Sequence, residues 1–287
     1  MHATTNESVV IVTGANSGIG KMTAVGLARG GATVVMACRD PTKSAAALVE
    51  VRSLAGSQRV HLMQLDLASA SSIRGFVSDF NDRFDRLDVL VNNAGVASRK
   101  RRLTADGFEL HFGVHHLGPF LLTTLLLPTL ERSAPSRVLI VAGTAQRFGK
   151  IAWDDLQSER KYSMMRASGQ SRVANLLFVR ALSQRAHGVT VNAVDPGNTA
   201  TGIGRDLPAP AQMLMRWTLK SPEKGAATSL YLATSPDVAA VTGKYFKNRT
   251  REIRPNPTAL DDANAERLWR ISEQLTADAA SAAGPVG

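Results

Sequence analysis

The stretch Ser8-Val9-Val10-Ile11-Val12-Thr13-Gly14-Ala15-Asn16-Ser17-Gly18-Ile19-Gly20 decides the fold. A β-branched apolar run ends at Thr13, glycines follow at 14, 18 and 20, and a helical pattern continues from about Gly18 to Arg29. Glycine is required where a tight strand-to-helix turn lets backbone N–H groups approach a pyrophosphate, and the helix N-terminus adds donors and a favourable dipole. A lone glycine trio is weak evidence, but strand, loop and helix in this order set it above a plain turn. Gly14, Asn16, Ser17, Gly18 and Ile19 are therefore the phosphate-binding candidates.

Outward from this loop, short apolar runs alternate with longer helical patterns, the signature of βαβ units and a parallel sheet. The expected strands are Val9–Thr13, Thr33–Ala37, Val60–Leu65, Val89–Val91, Val138–Val141, Thr190–Val194 and one near Lys244–Phe246. Nearly all apolar, they suit a sheet covered on both faces. Helices are expected over Gly18–Arg29, Thr42–Leu54, Ala70–Phe84, Phe108–Leu130 and Met165–Ala186, with another after Pro222. Gly30 and Gly31 supply a left-handed end to the first. The expectation is an α/β fold: one Rossmann-type domain over residues 1–287, a doubly wound parallel sheet of about seven strands with helices on both faces. Residues 202–221 read either as a substrate-covering insertion or as an ordinary surface helix, and the Ala/Gly-rich end, 277–287, reads as disordered.

The chain has 287 residues, with 34 Lys+Arg against 24 Asp+Glu and a formal net charge of +10. A basic balance is one footprint of nucleic-acid binding. The excess is dispersed apart from Arg99-Lys100-Arg101-Arg102, and no nucleic-acid motif accompanies it, so no nucleic-acid partner is expected. That run either guides an anionic substrate or is solvated. No window approaches the roughly 18 uninterrupted apolar residues of a membrane span, so no membrane association is expected. The start, MHATTNESVVIVTG, lacks the features of a secretory signal. The single cysteine, Cys38, excludes an intramolecular disulfide framework and a structural zinc site. His115 and His116, adjacent on a helix, point in different directions, so no metal is expected. The default is a cytoplasmic protein.

The second strand ends at Cys38-Arg39-Asp40, where a dinucleotide fold meets the adenosine ribose. Arg39 suits a 2′-phosphate through its planar fork, which favours NADPH. Asp40 keeps NADH open.

Several motifs in order resemble the short-chain dehydrogenase/reductases, over about residues 6–250. They are TGxxxGIG at 13–20, Asp66-Leu67 after the third strand, Asn92-Asn93-Ala94-Gly95 after the fourth, and Pro196-Gly197 with Thr201 after the sixth. ACRD at 37–40, HLG at 116–118 and Ala174-Asn175 resemble the retinol-dehydrogenase-like branch. The resemblance implies Asp66 and Leu67 beside the adenine and Asn93, Ala94 and Gly95 along the ribose. It also implies Pro196 and Gly197 opening the nicotinamide loop, with Thr199 and Thr201 flanking the carboxamide. Pairing through the helices at 108–130 and 165–186, into a homodimer or homotetramer, is implied likewise.

The family reduces carbonyls with a Tyr proton donor, a Lys four residues on, a Ser and an Asn. In register, this chain has His115 at the Asn, Gly143 at the Ser, Ser168 at the Tyr and Arg172 at the Lys. Tyr162 and Arg166 offer a shifted Tyr-x-x-x-Arg, rejected because Ser171 to Leu176 aligns without a gap. Arg172 retains the capacity to bind ribose hydroxyls but cannot relay protons. Ser168 lacks the acidity and reach of a phenol, and His115 occupies the distal relay position. Thr144 either bonds a substrate oxygen or caps backbone. The catalytic candidates are Thr144, Ser168 and His115.

The resemblance thus implies an NADPH-dependent ketoreductase with an atypical site. Its substrate is a bulky, hydrophobic, polycyclic ketone of aromatic-polyketide, angucyclinone-like type, whose own phenol or enol assists protonation. The alternatives are an NADP(H)-binding pseudoenzyme acting as sensor or scaffold, and a non-redox enzyme using the same pocket.

Overall fold

The computed structural model describes residues 7–197 and 221–282. Among these, eight strands form one sheet: β1 Val9–Thr13, β2 Thr33–Cys38, β3 Val60–Gln64, β4 Val89–Asn92, β5 Ser136–Val141, β6 Val189–Asp195, β7 Tyr245–Lys247 and β8 Arg251–Glu252. Their order is β3-β2-β1-β4-β5-β6-β7-β8. All neighbours from β3 to β7 pair in parallel, and only β8 pairs antiparallel, to β7. The sheet is thus one strand larger than expected. At two residues, β8 is too short to leave a hydrophobic period in the sequence.

Alternation along the strands feeds two cores, one on each face. Val9, Ile11 and Val35 face one side, where they meet α3 Ala70–Asn81, the long helix α4 Leu110–Arg132, α5 Met164–Ser183 and α7 Asp262–Ala282. Val10, Val12, Val34 and Met36 face the other, against α1 Gly18–Arg29, α2 Pro41–Ala55 and α6 Pro222–Thr234. The positive φ that ends α1 falls on Gly31, at 97°, while Gly30 remains right-handed at −73°.

One expectation about the chain's later part needs correction, and another lies outside the described residues. Residues 277–282, read as disordered, continue α7 to Ala282; 283–287 lie outside the described residues. The helix was missed because its apolar positions are sparse and several are alanines. It holds by docking: Trp269 packs edge-on to Phe120 at 5.0 Å and against Phe178 at 5.9 Å. Arg185 lies over the Trp269 ring at 4.5 Å and pairs with Glu266, and Arg180 pairs with Asp262. The 202–221 insertion falls almost wholly outside the described residues.

Helix α4 bears on the membrane argument drawn from uninterrupted apolar runs. Leu110–Arg132 has a mean hydropathy of 1.3 over its best window and is long and apolar enough to cross a membrane, by length and composition alone. In this fold 78 % of that window is buried against the sheet and its neighbouring helices. Within it, Gly113–Leu117 forms a π-helical turn carrying His115 and His116.

Candidate active site

The chain runs outward from the central β1 in both directions, which leaves a crevice at the carboxyl ends of β1 and β4. Thr13 stitches it: its Oγ1 accepts the Asn93 and Ala94 N–H groups at 2.9 and 3.0 Å, and its carbonyl accepts Asn93 Nδ2 at 2.9 Å. Gly14 (φ +65°) and Gly18 (φ +55°) take the left-handed conformation. A Cβ on Gly20 would stand 2.5 Å from the Gly14 carbonyl oxygen, so only glycine lets helix and loop meet there. Around Gly18, by contrast, the space is open.

The helix behind this loop fits a phosphate. Asp40 caps α2 through Lys43 N–H and Ser69 caps α3 through Ser72 N–H, whereas Ser17 makes no side-chain cap on α1. No acidic residue lies in the first turn of α1. Its orphan N–H groups, an open cradle and the macrodipole together suit an anion. At the end of β2, Arg39 is exposed and its side chain has no partner among the described residues. Asp40 is engaged by the Lys43 amide at 3.0 Å and the Lys43 ammonium at 3.0 Å, which hold its carboxyl below the usual range. Asp66 accepts the Ala68 N–H at 2.9 Å and Leu67 is buried. Ile19 is buried, while Asn16 and Ser17 are exposed at the loop.

At the other end of the crevice, polar groups are bonded to the protein itself. His115 is buried; its Nε2 accepts the Val96 N–H at 2.9 Å and its Nδ1 lies 2.9 Å from Ser171 Oγ. Ser171 donates its own hydroxyl proton to the Ser168 carbonyl at 2.9 Å. Nε2 also lies 3.1 Å from the Val96 carbonyl, so in either neutral tautomer both ring nitrogens are engaged by Val96 and Ser171. Desolvation first, then the charges of Arg172 and His111, hold its pKa well below the ordinary histidine value. One turn earlier, His111 Nε2 accepts the Ser98 N–H at 3.3 Å and its Nδ1 lies 3.0 Å from Glu109 Oε1. The two rings thus hold alternate amides of the segment after Gly95. Tyr162 donates its phenol to the Ser98 carbonyl at 2.6 Å, a structural bond. Its pKa is raised, by burial first and then by Glu109.

Arg172 donates from Nη1 to the Val141 carbonyl at 2.8 Å; burial lowers its pKa to about 10, leaving it cationic at neutral pH. A Cβ on Gly95 would stand 3.2 Å from Arg172 Nη2 and 3.4 Å from His115 Nε2, so Gly95 keeps these three together. Gly143 has φ +77° and nothing within 4 Å of an added Cβ. A serine would find space there but not its preferred backbone. Thr144 bonds a side chain rather than the expected backbone: its Oγ1 donates to Asp195, 3.2 Å from both carboxylate oxygens. Ser168 is half-buried on α5, and its hydroxyl has no hydrogen-bond partner among the described residues. Pro196 and Gly197 follow β6, with the Gly197 N–H on Asp195 at 2.8 Å; Thr199 and Thr201 lie outside the described residues.

Sequence reasoning missed three residues here. Asp195, buried at the end of β6, pairs with Lys247 at 3.3 Å, and Tyr245 donates its phenol to the Gly143 carbonyl at 3.1 Å. Burial, then Asp195, pushes the Tyr245 phenol pKa up. The Asp before Pro196-Gly197 was legible; its partners on β7 come from distant sequence. Among the described residues no group of histidines, cysteines and carboxylates could hold a metal.

A doubly wound sheet with an uncapped glycine turn at its switch point defines a dinucleotide-binding α/β protein. Residues 8–212 match the family model for short chain dehydrogenases, and the chain belongs to that family. It is 42 % identical to human retinol dehydrogenase 14, covering 93 % of this chain and 85 % of that one. It is 44 % identical to human retinol dehydrogenase 13, covering 95 % and 86 %. Among solved structures, it resembles an uncharacterised Mycobacterium paratuberculosis protein at 36 % identity and TM-score 0.76, covering 94 % of this chain and 93 % of that one. It also resembles RhlG of Pseudomonas aeruginosa, solved as an NADP active-site complex, at 26 % identity and TM-score 0.69, covering 83 % and 93 %. The protein is therefore an NAD(P)-dependent oxidoreductase. The cytoplasmic expectation is withdrawn: its relatives are retinol dehydrogenases, and α4 meets, by length and composition alone, the measure of a membrane span.

Proposed function

We propose that the protein is an NADPH-dependent ketoreductase that reduces a bulky polycyclic ketone without a side-chain general acid. One observation carries this reading. At the carbonyl end, His115, Thr144 and Tyr245 spend their hydrogen bonds on the protein, Arg172 spends one of its donors on the Val141 carbonyl, and Gly143 offers no side chain. The retained hydroxyl, on Ser168, is too weak an acid to replace a phenol.

In this reading Gly14, Asn16, Ser17, Gly18 and Ile19 hold the pyrophosphate and Arg39 the 2′-phosphate. Asp66 and Leu67 lie by the adenine, and Asn93, Ala94, Gly95 and Arg172 by the ribose. Pro196, Gly197, Thr199 and Thr201 frame the nicotinamide, which supplies the hydride when bound. The commitment of Asp40 to its helix cap supports NADPH over NADH. His115 serves as a neutral clamp on the loop after Gly95. Ser168 is left to accept or donate one hydrogen bond to the substrate. The carbonyl is polarised by a phenol or enol on the substrate itself, since a general acid contributes roughly 10²–10⁴-fold and something must stand in for it.

The open space at Gly143 supports a wide substrate, and so do the exposed side chains of Phe148 and Met165, 81 % and 73 % accessible. The aromatic-polyketide, angucyclinone-like class comes from resemblance to the angucyclinone ketoreductase of simocyclinone biosynthesis, which shares the departure from the usual tetrad. Pairing through the α4 and α5 region into a homodimer or homotetramer stays part of this reading, and sedimentation at micromolar concentration checks it.

The experiment is transfer of deuterium from 4-deuterated NADPH to a polycyclic ketone bearing a neighbouring phenol, read by mass spectrometry. An enzyme-dependent deuterated alcohol is expected, with none from the matching ketone that lacks the phenol. Equal reduction of both ketones would overturn substrate assistance.

A further inference from the structure

Two loops and a strand converge on one buried carboxylate. Asp195 closes β6 and is 2 % exposed. Its Oδ1 accepts the Gly197 N–H at 2.8 Å, from the loop that leaves β6. Both its oxygens stand 3.2 Å from Thr144 Oγ1, on the turn that leaves β5. Lys247 Nζ reaches Oδ2 from β7 at 3.3 Å. A carboxylate this deeply buried needs a counter-charge and donors for its lone pairs, and these three groups supply them. Two residues before Lys247, Tyr245 holds the carbonyl of Gly143. β7 therefore grips the turn after β5 through Gly143 directly and through Asp195 indirectly.

We infer that Asp195, together with Lys247, is a positioning residue for the nicotinamide end of the site. It locks the Gly143–Thr144 turn to the start of the Pro196–Gly197 loop, so that the walls of the hydride-transfer space keep a fixed separation. The same bonds assign the hydroxyl proton of Thr144 to Asp195. Thr144 therefore turns only lone pairs elsewhere and donates nothing to a substrate carbonyl. Removing Lys247 or Thr144 would leave the buried Asp195 carboxylate short of a partner, so displacing either wall carries a cost.

The inference rests on the proposal that NADP(H) spans the crevice. Calorimetric titration with NADPH and with 2′-phospho-ADP-ribose, which lacks the nicotinamide, tests it in wild type, Asp195→Asn, Lys247→Met and Thr144→Val. Asp195→Asn is expected to weaken NADPH about tenfold, the weight of one charge-assisted hydrogen bond, and 2′-phospho-ADP-ribose by less than about twofold. Lys247→Met should show the same selectivity. Parallel loss of both ligands would mean general loosening and overturn the inference, as would no change in either. If Asp195→Asn does not fold, Thr144→Val removes a single contact and carries the same test: selective loss supports the inference and parallel or no loss overturns it. Wild type that binds neither ligand overturns the cofactor reading and this inference with it. Wild type that binds both, with no selective loss in the variants, overturns this inference alone.

Discussion

The helix after β1 begins with no side-chain cap, whereas the polar groups around the end of β5 are bonded to one another. Both regions lie at the carboxyl edge of the same sheet, built from strands of similar composition. At the first, donors and a cation are left open: the N–H groups of α1 and the guanidinium of Arg39. At the second, a neutral histidine, an arginine on a carbonyl and a carboxylate–lysine pair are closed into the fold. An open set of donors is arranged for a ligand to complete; a closed set holds shape. The proposed cofactor end thus has donors free to bind, while the proposed carbonyl end has most of its polar groups tied into the fold.

The comparison breaks first at Gly20. Gly20→Val would force a branched side chain against the Gly14 carbonyl and Asn93, and such overpacking costs about 1–3 kcal/mol. NADPH binding should fall by more than about a hundredfold as the loop is displaced, beyond what one lost contact explains. Calorimetry reads it; retained affinity would show that the loop is not the phosphate cradle. Next, Arg39→Ala should weaken NADPH by roughly tenfold or more, as for loss of a charged hydrogen bond, and leave NADH within about twofold. Equal losses would remove Arg39 from the 2′-phosphate.

The core behind the closed region should announce itself on acidification. His116, buried beside α7 with Nε2 on Ser272, has its pKa pushed down by burial to about 3. Its folded value lies below the unfolded value near 6.5, so the unfolded chain binds the extra proton. Stability is complete above about pH 6.5 and declines as pH falls toward 3, by about 2 kcal/mol at pH 5 for this residue. His115, shifted in the same direction, adds to the decline. Urea midpoints at pH 7.5 and pH 5 measure it, and His116→Phe should flatten part of the slope. The smallest effect belongs to Ser168→Ala. If the substrate carries its own proton source, turnover should drop by less than about tenfold, below the usual general-acid contribution. A loss of several hundredfold would make Ser168 a direct participant.

The candidates for the nucleotide half were legible because they are contiguous. Gly14, Gly18 and Gly20 sit in one turn, Arg39 and Asp40 in the next, and each is nominated by backbone geometry or charge at its own position. The carbonyl half was legible only as substitutions in a pattern: His115, Gly143, Ser168 and Arg172. What those residues do instead was not readable. His115 finds Val96 and Ser171, and Thr144 finds Asp195, across 19, 56 and 51 positions. Helix α7 was missed for the same reason, since its stability lies in Trp269 meeting Phe120 and Phe178.

By itself, then, the sequence determined the alternation of strand and helix, the glycine turn and the family. These follow from local periodicity and from conformations that only particular residues adopt. The tertiary structure alone decided which polar groups remain open. Hydrogen-bond partners are brought together by strand order rather than by spacing along the chain. Asp195, Thr144 and Lys247 become one site only because β5, β6 and β7 lie side by side.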